Sequence, residues 1–216
     1  MSEEQLIKLI ERSALFQAAV HKHVSTLAPV EVTRYEVAFD SGLLSLEHAA
    51  SALTLIGHNF HPSAYALMRP QYESSLRGFW LAYSASDTWI EKLSQPLTSE
   101  SAQRANKVPM PAEMLDDLAG SHEAPAFIIE QLKMYSDITW RALSSFTHGG
   151  LHPLARLRAG YPHQLTYDVV RNSNAVIALT AQLLSNLSGD ALNMEPVSKF
   201  HKDFVDCLPI LSGPSS

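Results

Sequence analysis

The chain has 216 residues, 46% of them hydrophobic and 18% charged, with a formal net charge of −6. This size and balance suit one folded domain with its own core, and argue against extensive disorder and against indiscriminate nucleic-acid binding, which needs Lys and Arg on phosphates. One cysteine, Cys207, excludes an internal disulfide, no Cys/His cluster has zinc-ligand spacing, and no apolar run approaches the ~20 residues of a bilayer span, so a cytoplasmic protein with no metal, cofactor or membrane partner is expected.

The N-terminal Met1-Ser2-Glu3-Glu4-Gln5 is acidic where a secretory leader would be basic. From Glu3 to Leu27 the residues Leu6, Ile10, Ala14, Val20, Val24 and Leu27 recur at helical spacing, and Pro29 marks the stop. A second helix is expected from about Thr33 to Ile56, ended by Gly57, and a third from Pro62 to about Ser86. Residues 87–125, with Pro96, Pro109, Pro111 and Pro125, read as a connector holding one or two short helices and lying over the bundle. A long helix over Ala126 to Thr147 stops at Gly149-Gly150. A loop follows from Leu151 to His163, then helices near Thr166–Leu187 and Glu195–Cys207. Alternating β-branched runs are absent. The expectation is an all-α antiparallel bundle of about five long helices with short extra ones, one domain over 1–210, and a flexible Ser/Gly/Pro tail over 211–216.

In the third helix Glu73 has Arg69 four residues before it and Arg77 four residues after it, so the three form one row. Its neighbours Ala66, Leu67, Met68, Phe79, Trp80 and Leu81 are apolar, which places the row against a cavity or interface, and burial demands that its charges be paired. Two readings stay open: an ion-paired layer that fixes helix register, or an arginine pair holding an anionic ligand with Glu73 orienting the guanidinium planes. Pro70, inside the helix, removes one backbone hydrogen bond and frees a carbonyl for a ligand or partner. His48, on the adjacent second helix, is a candidate to reach Arg69 and Glu73. Ten histidines invite a metal, but neither the paired Glu-x-x-His pattern of bundle di-iron sites nor His-Glu-x-x-His is present.

Between Ile138 and Tyr167 the acidic chain has no Asp or Glu, while Arg141, Arg156, Arg158, His148, His152 and His163 all fall there. Arg141 and His148 are seven residues apart, almost two turns, and so share a helix face just before a helix stop. A guanidinium beside an imidazole can hold a phosphodiester and move protons on it, and the helix C-terminus favours a cationic ring.

The Arg-x(4–6)-His spacing of Arg141 and His148 near the end of a late helix resembles the HEPN superfamily, all-helical proteins named for nucleotide binding in higher eukaryotes and prokaryotes. The helix Arg-Pro-x-x-Glu-x-x-x-Arg-Gly-x-Trp (Arg69 to Trp80), together with Phe-Thr-His-Gly-Gly (Phe146 to Gly150), is similar to uncharacterised bacterial proteins in or near that superfamily. The resemblance implies a HEPN-like bundle that forms a homodimer, in a bacterial defence or toxin–antitoxin setting that can include an antitoxin partner. For catalytic members it implies metal-independent RNA cleavage, with His148 as the acid/base group and Arg141 stabilising the phosphorane. Active members commonly carry a polar residue directly after the arginine, where this chain has Ala142. The leading expectation is therefore a non-catalytic module that binds a small anion, a nucleotide or a protein at Arg69, Glu73, Arg77 and His48. The alternative is an endoribonuclease using Arg141 and His148 in a composite dimer site.

Overall fold

A computed structural model of the chain describes residues 1–209, apart from the side chains of Trp140 and Arg141; the expected tail, 211–216, lies outside the described residues. Helix α1 spans Glu3–Val24, α2 Thr33–Gly57 and α3 His61–Tyr83. Three short helices follow, α4 Asp87–Ser94, α5 Ser99–Ala105 and α6 Pro111–Gly120. Then come α7 Ala126–Thr147, α8 Leu151–Ala159, α9 His163–Leu187 and α10 Met194–Asp203. Among the described residues there is no strand, and the fold is all-α as the periodicity predicts.

The centre of the bundle is the pair α2 and α3, joined by residues 58–60, with Asn59 in the left-handed region at φ 63°. The Ser41 hydroxyl donates to the Ser74 carbonyl and Ser45 to that of Gln71, so sequence numbers rise on one helix as they fall on the other and the pair is antiparallel. Small residues allow this closeness. A Cβ on Gly78 would stand 2.8 Å from Leu183 Cδ2 and 3.1 Å from the Ala38 carbonyl oxygen, and one on Gly42 would stand 2.6 Å from Leu184 Cδ2. Helix α9 lies against both, and α1 packs on α9.

The interface of these helices is stitched by buried polar side chains rather than left purely apolar. Gln71 donates to the Ser173 carbonyl and accepts from the Ser173 hydroxyl, while Thr180 donates to the Val176 carbonyl and pairs with Ser75. Each is a buried polar group with a partner, which the cost of an unmade hydrogen bond in a core demands. Helix α3 also carries the large buried rings Tyr65, Tyr72 and Trp80, the last donating from Nε1 to Asp117 on α6 at 2.9 Å.

The connector contains three short helices where one or two were expected, and α6 packs on α3 as a covering element. The loop expected over Leu151–His163 is instead largely helix α8. Pro153 occupies the first turn of that helix, where a backbone N–H has no intrahelical partner to lose, so this proline starts the helix and Gly160 at φ 80° ends it.

Candidate functional site

The segment Phe146 to Gly150 closes α7 with a distinct task for each residue. Phe146 is buried and meets Tyr65 edge-on, ring centroids 5.1 Å apart. Thr147 shares its hydroxyl proton between the Leu143 carbonyl, 3.0 Å away, and the Ala66 carbonyl of α3, 3.2 Å away. Ala66 stands four residues before Pro70, whose missing N–H leaves that carbonyl open. The carbonyl that the proline frees is therefore taken by α7, not by a ligand. Gly149, at φ 64°, turns the chain left-handed, so that its N–H reaches the Phe146 carbonyl and that of Gly150 reaches Ser145 at 2.7 Å. Gly150 has no room for a side chain, since a Cβ would meet Ser145 Oγ at 2.7 Å. That same hydroxyl oxygen accepts the N–H of His152 and so caps the start of α8.

This closure delivers His148 to Arg69. The guanidinium of Arg69, 14% exposed, donates from Nε to Glu73 at 2.7 Å, and from Nη1 to Ser144 Oγ at 3.2 Å and to His148 Nε2 at 2.9 Å. An arginine has no acceptor atom, so this geometry needs a bare Nε2 and puts the ring proton on Nδ1. His148 itself is exposed. The result is a solvent-reachable imidazole and hydroxyl held by a largely buried, ion-paired cation at the junction of α3 and α7.

Of the residues singled out in the sequence, the fold brings together Arg69, Glu73 and His148. It separates Arg77, which Glu73 does not bond and which faces a groove against α2 and α4. Burial works against the Arg77 cation and lowers its pKa, partly offset by the Glu73 carboxylate. His48 is half-buried on α2 and hydrogen-bonds neither Arg69 nor Glu73 among the described residues; desolvation lowers its pKa, with Glu47 opposing. The side chain of Arg141 lies outside the described residues. Ser144 escaped the sequence reading, because a serine in a helix carries no signal until a guanidinium is seen beside it. Among the described residues no group of His, Cys, Asp and Glu could hold a metal ion, and no helix is long and apolar enough to cross a membrane.

Residues 42–210 match the model of a family of unknown function, DUF6988, and both segments that build the site fall inside that stretch. No curated protein and no solved structure matches the chain.

Proposed function

We propose, from the premise that this chain belongs to the DUF6988 family, that it is a HEPN-like helical module that binds a small phosphate-bearing anion, a nucleotide above all, at Arg69, Ser144 and His148. The observation that carries the reading is the Arg69 guanidinium held between Glu73, Ser144 and an exposed His148. A phosphate group arriving at His148 meets the outward Nδ1–H of a ring that the largely buried Arg69 cation, itself tied to Ser144 and Glu73, already holds in place, so little ordering is required on binding. The surroundings agree, since the segment from Ile138 to Tyr167 has no carboxylate to repel an anion. A symmetric dimer belongs to the same proposal. Helix α8 exposes Leu151, Leu154 and Leu157, 77%, 57% and 67% accessible, three residues apart on one face.

Calorimetry with adenine and guanine nucleotides in EDTA tests this. Saturable binding by the parent, weakened about tenfold or more in Arg69→Ala, is the expected result. Equal affinity in that variant, or no binding by the parent, ends the proposal. A second reading is favoured by the exposure of the His148 ring beside a guanidinium: a metal-independent endoribonuclease in which His148 moves the proton and Arg141 or Arg69 stabilises the phosphorane. It requires 2′,3′-cyclic phosphate ends from RNA incubated in EDTA, lost in His148→Ala. Cleavage that persists in that variant would sink it.

A further inference from the structure

A groove beside Arg77 has neither Arg69 nor His148 in its lining. Its volume is about 770 Å³, within the range of small-molecule pockets, and it lies between the first half of α2, the last two turns of α3 and the end of α4. Arg77 has a buried Nε with no hydrogen-bond partner, and the ion pairs among the described residues leave it out. A guanidinium largely withdrawn from water, with one N–H unsatisfied and only the unbonded Glu73 carboxylate to offset its burial, is costly, and an anion beside it gains accordingly.

The rest of the wall says which anion. Glu36 and Asp40, both exposed, stand one turn apart on α2 and line the same groove. Two carboxylates repel a phosphate dianion but attract an ammonium group. Leu44 and Leu93 supply apolar surface, with the buried Leu81 and Ser41 behind them. One partly buried cation, two exposed acidic groups and the apolar surface of Leu44 and Leu93 match a molecule with one carboxylate, one ammonium and an apolar body.

We propose that this groove binds an amino-acid or short-peptide zwitterion, the free carboxylate on Arg77, the ammonium at Glu36 and Asp40, and apolar side chains against the leucines. Arginine suits the first contact because its planar fork meets both carboxylate oxygens at once.

The test is calorimetry and thermal shift of the full chain with trileucine, its C-terminal amide and its N-acetyl form. Saturable binding of the free peptide is expected, about tenfold or more weaker for the amide and in Arg77→Met. In Glu36→Gln/Asp40→Asn, whose changes are on exposed side chains, the free peptide binds more weakly and the N-acetyl form at least as well as to the parent. The double variant keeps the proposal open to refutation if Arg77→Met fails to fold. No binding of trileucine by the parent, equal affinity for the amide, or undiminished affinity in the double variant would each overturn it. Because Arg69 and His148 are untouched, nucleotide binding reports separately on the first site.

Discussion

The hydrogen bond between Arg69 and His148 fixes more than a distance. With Nη1 donating to Nε2, the neutral ring carries its proton on Nδ1, facing away from the guanidinium. Nitrogen chemical shifts of His148 at pH 8 should show the Nδ1–H form in the parent and a shift towards Nε2–H in Arg69→Ala; identical tautomers in both would show that the contact does not orient the ring. Arg69→Lys should not rescue nucleotide binding, because one ammonium cannot span Glu73, Ser144 and His148 as two guanidinium nitrogens do. Other histidines tune stability. Burial lowers the pKa of His23, His48, His61 and His201 below 6.5. Such rings bind fewer protons in the folded chain than in the unfolded one. The stability they allow is therefore complete above pH 6.5 and is lost as pH falls towards the lowered folded values. The midpoint of thermal unfolding should drop between pH 7 and 5, and less steeply in His61→Phe; an unchanged slope in that variant would remove His61 from the account.

Helix α3 meets its neighbours through two devices that substitution can separate. Gly78 lets α2 approach, and the obstacles to a side chain there are Leu183 and the backbone oxygen of Ala38, which cannot swing away. Gly78→Val should cost about 1–3 kcal/mol, read as a lowered denaturant midpoint, whereas Gly57→Ala, with nothing within 4 Å of its Cβ, should be neutral or mildly stabilising. Pro70 does the opposite of stabilising its helix. Pro70→Ala restores an N–H for the Ala66 carbonyl, so thermal stability should rise while the competing Thr147 contact loosens, seen as faster hydrogen exchange at residues 144–149. Slower exchange there would mean that Thr147 does not depend on the proline. The five long helices were legible because their apolar periodicity runs for five or more turns; the limits of α7, Ala126–Thr147, follow from Pro125 before it and Gly149-Gly150 after it. Helix α8 was not. Its nine residues lie between glycines and contain a proline, and whether a proline breaks or begins a helix depends on which turn it occupies.

Taken whole, the molecule divides the row Arg69, Glu73 and Arg77 between two faces, a separation that i, i+4 spacing does not disclose. Residues on one row of a helix look alike in sequence, yet α7 covers the N-terminal end of the row while α2 and α4 flank the other. The pairing of Arg69 with Glu73 was readable, being local; that of Arg69 with His148 was not, because it depends on how α7 docks. The dimer proposal also belongs at this scale. Sedimentation of the parent should give twice the chain mass, and Leu154→Glu with Leu157→Glu, on the exposed face of α8, should give a monomer of unchanged helicity. A parent that sediments as a monomer removes the two-fold from the proposal. Finally, Arg69 and His148 stand 79 positions apart along the chain. A polypeptide leaving the ribosome therefore cannot form the Arg69–His148 contact until α7 has emerged and seated on α3, so stalled or clipped products that end before that helix lack the proposed site altogether.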